Sequence, residues 1–377
     1  MADVSKIGEN IRMLREKKGL TQNALAEQVR VSFQAISSWE RGVSVPELEN
    51  AIRLADFFEV SLDKLIANAD RPLYVGIDGG GSKTELVLFQ ADGTVRNVVF
   101  VEGSNPNDRG VEKTLEVLSE GLEQLLGRYH PAAIFAGIAG ASAGDHSSVI
   151  TKFLQEKIHT RVYTDTDAAN ILSYGDDPEN AGALICGTGS CVFIRKGGER
   201  HRLGGWGYLF DQAGSAYDVG KDAFRCALAV EDGMMEENRL SRRIEEELGG
   251  KTFANVPMIY KKGRPYIASF ARLVVAVAEE GEPCALEILR SNAQRLALLI
   301  KTGIARYGSP TQFVAGGGFL KSDLFRSMVE EESGIQLVIP DLPPVYGACI
   351  EALRQEKIHA CKEFRNNFTV SYRRIVC

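Results

Sequence analysis

The chain has 377 residues, which is enough for two or three domains that each bury their own core. Its hydrophobic fraction of 44% and charged fraction of 25% are ordinary for a globular protein, and a net charge of −6 gives no overall basic surface for nucleic acid. No apolar stretch approaches the roughly 20 residues of a membrane span and no signal-peptide pattern is seen, so we expect no membrane contact and a cytoplasmic location.

The first 69 residues predict five short helices and no strand. Thr21 and Ser32 stand where the second and third helices are expected to begin. Helices over 21–29 and 32–41, joined by a tight turn, have the spacing of a helix-turn-helix. The segment has nine basic and ten acidic residues and a net charge of −1, so we expect one copy to bind DNA weakly and a dimer to be needed. A vestigial or protein-binding helical domain is the alternative interpretation.

Two motifs in this segment, Leu20–Gln22 and Trp39–Gly42, resemble the Cro/phage-repressor (XRE) family of DNA-binding domains. The resemblance implies that 32–41 is the recognition helix, in which Gln34 bonds adenine and Phe33 contacts a thymine methyl group. It also implies one phosphate contact, from the start of the preceding helix. The residues implied to contact double-stranded DNA are Gln22, Ser32, Phe33, Gln34 and Ser38.

After a short polar joint at 68–72, an apolar strand ends in an acid and three glycines, and a second strand follows. Glycines let the backbone turn sharply and bring N–H groups to a bound anion. The acid, Asp78, suits the hydration shell of a magnesium ion, and the next side chains are phosphate donors. A P-loop would instead lead into a helix. The predicted residues of this first loop are Asp78, Gly79, Gly80, Gly81, Ser82, Lys83 and Thr84.

Strands and helices then alternate, and a second strand–glycine–strand device occurs at 183–194. A third glycine cluster ends a strand before a helix predicted at 322–332. Two similar loops in two α/β halves indicate an internal duplication around a nucleotide cleft. The predicted nucleotide-binding residues of the second loop and third cluster are Gly187, Thr188, Gly189, Ser190, Gly316, Gly317 and Gly318.

Together these motifs resemble the actin and sugar-kinase superfamily, and within it the BadF/BadG/BcrA/BcrD-type ATPase family that contains N-acetylglucosamine kinases. The resemblance covers about residues 73–355, and Gly204–Gly207 is its most characteristic motif. It implies an all-α helix-turn-helix domain followed by a duplicated, ribonuclease-H-like α/β fold of two lobes, with ATP and Mg²⁺ as cofactors. We expect domains at 1–69, 70–182 and 183–357. The tail, 358–377, has a strand-like alternation that suits an edge strand, an oligomer contact or a disordered end.

The resemblance also implies that Asp167 is the catalytic base, because a carboxylate beside a sugar hydroxyl can accept its proton. Capping the following helix is the alternative role for Asp167, and Asp165 is a rival carboxylate. Trp206 either walls the sugar site or is a core residue. Asp211 stands one position earlier than the acid of many relatives, and the implied role of this acid is to bind sugar or magnesium. The residues implied to bind sugar are Asn105, Gly140, Trp206 and Asp211.

Three functions remain open on the sequence alone. The leading one is an ATP-dependent kinase for an amino sugar, fused to a sequence-specific DNA-binding module and acting as a homodimer. The second is a transcriptional regulator that senses sugar or nucleotide with little or no turnover. The third is an ATPase that energises electron transfer through an iron–sulfur cluster, but the setting of Cys186 and Cys191 does not resemble the cysteine motifs of such proteins. The seven scattered cysteines favour reduced thiols, and we expect no structural metal.

Overall fold

The structure is a computed structural model, and it describes residues 4–60, 62–67, 72–211 and 213–376. The chain divides into two compact units, Met1–Leu73 and Tyr74–Cys377. The joint predicted at 68–72 lies outside the described residues except for its last position.

The described part of the first unit contains the five predicted helices. They are α1 (Val4–Lys17), α2 (Gln22–Val29), α3 (Phe33–Glu40), α4 (Leu48–Phe58) and α5 (Leu62–Ala67). Their apolar faces meet in one core, in which Leu25 and Ile36 are fully buried. The Oγ1 atom of Thr21 accepts a hydrogen bond from the N–H of Ala24 at 3.2 Å, and this cap starts α2 where the sequence predicts it.

The second unit contains two five-stranded sheets, β3-β2-β1-β4-β5 and β8-β7-β6-β9-β10. In this direction the strands of the two sheets correspond one to one. The strands are β1 (Leu73–Gly79), β2 (Lys83–Gln90), β3 (Val95–Glu102), β4 (Ala133–Ile138), β5 (Arg161–Asp165), β6 (Ala181–Cys186), β7 (Ser190–Lys196), β8 (Glu199–Gly204), β9 (Gln312–Gly316) and β10 (Leu337–Val338). β1 pairs in parallel with β4, and β6 pairs in parallel with β9. Each lobe therefore repeats one plan, which confirms the predicted two-lobed α/β fold.

Helices cover both sheets. They are α6 (Pro106–Arg109), α7 (Val111–Leu126), α8 (His146–Ile158), α9 (Ala168–Leu172), α10 (Ala216–Glu231), α11 (Arg239–Leu248), α12 (Thr252–Ser269), α13 (Ala271–Glu279), α14 (Pro283–Tyr307), a 3₁₀ helix (Phe319–Lys321), α15 (Asp323–Ser333), α16 (Val345–Gln355) and α17 (Phe364–Val376). Within the described residues, no helix combines the length and the apolar composition that crossing a membrane requires.

Two helices join the lobes. α9 follows the first sheet but contacts β6 and β9 of the second, whereas α16 follows the second sheet and contacts β2 and β4 of the first. They touch backbone to backbone, because a Cβ atom on Gly347 would lie 1.8 Å from the carbonyl oxygen of Asn170. This contact fixes the start of α9, where the predicted catalytic base stands, against both lobes.

Of the three interpretations of the tail, the edge strand and the disordered end are wrong, because α17 is a helix packed against the first lobe. Phe364 and Phe368 are buried, and their rings lie 6.0 Å from Phe89 and 5.1 Å from Tyr346, respectively, between centroids. The spacing of Phe364, Phe368 and Tyr372 is four residues, which places them on one face of a helix. This helical period outweighs the apparent alternation.

The six described cysteines are free thiols, and Cys377 lies outside the described residues. They are less scattered in space than in sequence. The Sγ atoms of Cys226 on α10 and Cys284 on α14 lie 2.8 Å apart.

Candidate active site

The first glycine loop is held between the ends of three strands. The N–H of Ala139 after β4 donates to the carbonyl of Gly79 at 2.7 Å, and the N–H of Ser104 after β3 donates to the carbonyl of Gly80 at 2.9 Å. A Cβ atom on Gly79 would lie 2.4 Å from the Ser104 hydroxyl oxygen, so this position requires glycine. The loop is therefore a fixed turn at the carboxyl end of β1, where α/β proteins commonly bind ligands.

The predicted phosphate donors of this loop separate into two groups. Gly81, Ser82 and Lys83 are exposed, so their N–H, hydroxyl and ammonium groups are accessible to a ligand. Thr84 is fully buried, and its hydroxyl donates to the Ser104 hydroxyl at 2.8 Å. The Thr84 side chain therefore holds the loop together within the lobe.

Asp78 is half-buried at the end of β1. The Nδ2 atom of Asn170 on α9 donates to its Oδ1 atom at 2.6 Å. Burial raises the pKa of Asp78 to about 6, and the charges of Asp167 and Glu85 add to the rise while the Asn170 hydrogen bond opposes it. The Oδ1 atom of Asn170 is itself buried without a described partner. The half-buried carboxylate of Asp78 and the unpaired amide oxygen of Asn170 are oxygen ligands that fit a hydrated Mg²⁺ ion.

The structure distinguishes the two rival carboxylates. Asp165 is occupied, since its Oδ2 atom accepts a hydrogen bond from Arg200 at 2.6 Å. Asp167 has no salt bridge to a described basic residue and makes no side-chain cap for α9. The first N–H of α9, that of Ala168, instead bonds the hydroxyl of Thr166 at 3.2 Å. Asp165 is therefore paired with a basic side chain, whereas Asp167 has no such pairing among the described residues.

Asp167 lies close enough to both lobes to affect groups on each. Burial raises its own pKa, and the charge of Asp165 adds to that rise. Its charge in turn helps raise the pKa of Asp78 on β1. Burial also raises the pKa of Cys191 on β7 to about 12, again with a contribution from Asp167. The charge of Asp167 is therefore felt by groups on β1 of the first lobe and on β7 of the second.

Two of the predicted sugar-binding residues meet beside the first loop. A Cβ atom on Gly140 would lie 2.2 Å from the Oδ1 atom of Asn105, and Gly140 has a φ of 81°. The Nδ2 atom of Asn105 donates to the Oδ2 atom of Asp108 at 2.7 Å. A Cβ atom on Gly81 would lie 3.1 Å from that same oxygen. Asp108 therefore joins the sugar-binding group to the first loop, and the sequence analysis overlooked it although it belongs to the polar run 105–108.

The second glycine loop and the start of α10 line a cleft of about 240 Å³. Thr188 and Gly189 face this cleft together with Asp211. Ser190 also lines it, although its buried hydroxyl donates to the carbonyl of Ala213 at 3.0 Å and so fastens the loop. One lining residue, Arg264, has no sequence signal, because it is 75 positions from Gly189 and carries no motif of its own.

The remaining predicted sugar-binding residues lie in the loop after β8. Trp206 is 63% exposed, so the alternative of a core tryptophan is wrong. The guanidinium carbon of Arg202 lies 4.2 Å from the centroid of its ring. Asp211 accepts a hydrogen bond from the N–H of Trp206 and thereby closes the loop on itself. Gln212, part of the departure from the family pattern, lies outside the described residues.

The third glycine cluster adjoins the end of β6. Gly317 has a φ of 92°, and a Cβ atom on it would lie 2.3 Å from the carbonyl oxygen of Cys186. A Cβ atom on Gly316 would lie 3.4 Å from side-chain atoms of Ile171 and Ile185, whereas Gly318 is exposed with open space around it. The second and third clusters therefore lie next to each other in the second lobe.

In the first unit, the predicted recognition helix α3 presents Phe33 and Gln34 to solvent. The other predicted contacts are already engaged. Gln22 donates to Glu40 at 2.7 Å, the Ser32 hydroxyl accepts from Ala35, and the Ser38 hydroxyl lies 2.8 Å from that of Ser44. Among the predicted DNA contacts, the exposed side chains of Phe33 and Gln34 can therefore reach a base without first breaking a hydrogen bond within the domain.

Residues 75–352 match the model of the BadF/BadG/BcrA/BcrD ATPase family. The chain belongs to this family. Residues 11–65 match a helix-turn-helix family, so the fused architecture predicted from the motifs is confirmed. Membership of this ATPase family implies that the second unit uses ATP.

Individual relatives agree with the family assignment. The chain is 32% identical over 237 residues to an N-acetylmuramic acid/N-acetylglucosamine kinase of Clostridium acetobutylicum, covering 60% of this chain and 78% of that protein. It is 40% identical over 65 residues to the transcriptional activator BcrR of Enterococcus faecalis, covering 17% of this chain and 32% of that protein. A solved structure of a candidate N-acetylglucosamine kinase from Chromobacterium violaceum has a TM-score of 0.61 at 22% identity, covering 75% of this chain and 99% of that one. At this identity the last match shows the fold alone.

Proposed function

We propose that the second unit, within residues 70–357, is an ATP-dependent kinase that phosphorylates a hydroxyl of N-acetylglucosamine or a related amino sugar. The observation that carries this proposal is Asp167, a carboxylate at the start of α9 that makes no salt bridge to a described basic residue and no side-chain capping hydrogen bond. Such a group is suited to accept a proton from a substrate hydroxyl. Relatives that are named as kinases for this class of sugar support the choice of substrate.

In this mechanism the exposed N–H groups of Gly81 and Ser82 bind the phosphates from the first lobe, and those of the second loop bind them from the other. Asn105 and Asp108 orient the sugar. Asp167 accepts the proton of the attacking hydroxyl while the sugar oxygen bonds the γ-phosphorus and ADP leaves. Asp78 would hold Mg²⁺ through water, and the ion would supply positive charge to the phosphates. The separated lobes, joined through α9 and α16, would close to exclude water.

The kinase proposal is tested by comparing Asp167→Asn with Asp165→Asn in an assay of sugar-stimulated ADP release. We expect Asp167→Asn to lower kcat by at least about 100-fold, the usual contribution of a general base, and to leave ATP binding intact. Asp165→Asn removes an adjacent carboxylate of the same charge, so it is the matched control and should keep most of the turnover. Equal losses in the two variants would contradict the role of Asp167.

The second candidate, a sugar-sensing regulator with little turnover, is favoured by the departure around Asp211, whose carboxylate is engaged by the N–H of Trp206. It predicts that the native chain binds sugar and ATP without releasing ADP. In that case the affinity for operator DNA must change with ligand, since a sensor acts through different ligand affinities of two states. If the native chain turns over and its ligands do not change DNA binding, the sensor function is excluded and only the kinase function remains.

We further propose that the first unit, within residues 1–69, binds double-stranded DNA as part of a homodimer. Gln34→Ala should weaken discrimination at one base position by about 1–3 kcal/mol, because the exposed amide is free to form a bidentate contact with adenine. Selection of binding sites from a random DNA pool by native and variant protein measures this. Gln28→Ala, an exposed glutamine on α2, is the control. Identical selected sequences for Gln34→Ala and the native chain would exclude this side chain from base reading.

A further inference from the structure

Helix α12 is broken at Gly263, where φ is 71° and ψ is −163°. Arg264 follows the break and precedes Pro265, and a residue before proline is disfavoured in the helical conformation. The two helical segments of α12 therefore meet at an arginine whose backbone is not constrained by a continuous helix. The guanidinium carbon of Arg264 lies 4.7 Å from the centroid of the Tyr208 ring, and its Nη2 atom lies 3.9 Å from the position of a Cβ atom on Gly189.

This guanidinium has no anionic partner among the described residues. Its Nε atom is buried without a hydrogen-bond acceptor. The two acids that line the same cleft are occupied, since Asp218 accepts from the N–H and hydroxyl of Ser215 and from Lys221, and Asp211 accepts from the N–H of Trp206. A buried donor left unpaired costs about 1–3 kcal/mol, a cost that a bound acceptor removes.

The surroundings of Arg264 suit an anion. Gly189 of the second loop, the start of α10 and the guanidinium line one cleft of about 240 Å³. The capping box of Ser215 and Asp218 fixes the first turn of α10. A planar guanidinium binds carboxylate or phosphate through two parallel hydrogen bonds, and the cation–π contact with Tyr208 restrains its position.

We propose that Arg264 is the anion-binding side chain of this cleft, and that its ligand is either a terminal phosphate of the nucleotide or the carboxylate of an acidic amino sugar. This inference rests on the proposed kinase function and adds a residue to it. Both ligands present two or three oxygens in the geometry that a guanidinium fork matches.

The test measures KM for MgATP, N-acetylglucosamine and N-acetylmuramic acid with native protein, Arg264→Gln and the control Arg272→Gln, an exposed arginine on the neighbouring helix α13. Loss of a charged hydrogen bond predicts an increase in KM of about tenfold to 100-fold. An increase for MgATP with both sugars identifies the nucleotide phosphate as the ligand. An increase confined to N-acetylmuramic acid identifies the sugar carboxylate. Unchanged KM values for all three substrates in Arg264→Gln would overturn the proposal.

A native chain without sugar-stimulated turnover would remove the kinase function but not this inference. Calorimetric titration with a non-hydrolysable ATP analogue and with N-acetylmuramic acid then provides the readout. Arg264→Gln should weaken one of the two affinities by about tenfold to 100-fold. Arg264→Lys keeps the charge without the guanidinium fork, so it should restore part of that affinity. Equal affinities for native protein and Arg264→Gln would again overturn the proposal.

Discussion

At the scale of single residues, the environment decides which of several similar acids is available for chemistry. Asp165 and Asp167 are separated by one residue, yet only Asp165 is paired with Arg200. The sequence nominates both acids, but it does not show which one a distant arginine engages. The sequence likewise does not show the hydrogen-bond partner of Asp78, because that partner, Asn170, is 92 positions away. Local glycine and strand signals therefore predicted the loops, whereas their supporting contacts depend on the tertiary fold.

The pKa of Asp78 predicts a pH effect on stability. Its folded pKa of about 6 lies above the ordinary 3.8, so the folded state holds the proton more tightly than the unfolded state. The resulting stabilisation is complete below the ordinary pKa and is lost as the pH rises through about 6. For the ligand-free protein, this group should lower the free energy of unfolding by about 1–2 kcal/mol between pH 5 and pH 7.5.

Asp78→Asn removes the titrating group and keeps an oxygen for the Asn170 hydrogen bond. Urea unfolding at the two pH values should therefore show a smaller decrease in stability for the variant than for the native protein. Equal decreases would show that Asp78 titrates at its ordinary pKa in the fold.

At the scale of elements, α17 shows why the tail escaped prediction. Its sequence alternates in polarity over a few residues, while its aromatic side chains repeat every four. Only the position of the first sheet shows which period is used, because Phe368 and its neighbours fill a surface next to Phe89 and Tyr346. The break in α12 at Gly263 is a comparable case, since a lone glycine in a helical pattern does not reveal the φ angle it adopts.

Phe368→Ala should lower the free energy of unfolding of the second unit by about 3–5 kcal/mol, because it leaves a cavity in a packed aromatic cluster. Val370 lies on the same helix and is 53% exposed, so Val370→Ala should change it by no more than about 0.5 kcal/mol. Denaturant unfolding of both variants measures the difference. Similar small effects would mean that α17 does not belong to the core of the first lobe.

At the scale of the whole molecule, the described residues of the two units form separate hydrophobic cores. One is formed by α1–α5 alone, and the others lie within Tyr74–Cys377. The change from purely helical to alternating patterns is the sequence signal for a boundary near residue 70. The side-chain contacts within each unit could not be predicted from the sequence. Arg15, Gln22 and Glu40, for example, form a hydrogen-bond network that no local pattern encodes.

Residues 1–73 and residues 74–377, produced as separate chains, should each fold. Circular dichroism should show a helical spectrum with cooperative melting for the first, and the second should retain nucleotide binding. The intact chain, unfolded in parallel, is the reference for both melting curves. A first fragment without cooperative melting would indicate that its core depends on the larger unit.

The second sheet and its helices lie in the chain between the first sheet and α16 and α17, which cover that sheet. This order has a consequence for biosynthesis. α16 and α17 follow both sheets in the chain, so until they are synthesised the nascent first lobe exposes the apolar surface around Phe89 and Tyr74. The first lobe therefore cannot close before the second sheet has been synthesised. A message truncated just before α16 should yield a product that chaperones retain and proteases remove, even though every glycine of the three clusters has been synthesised.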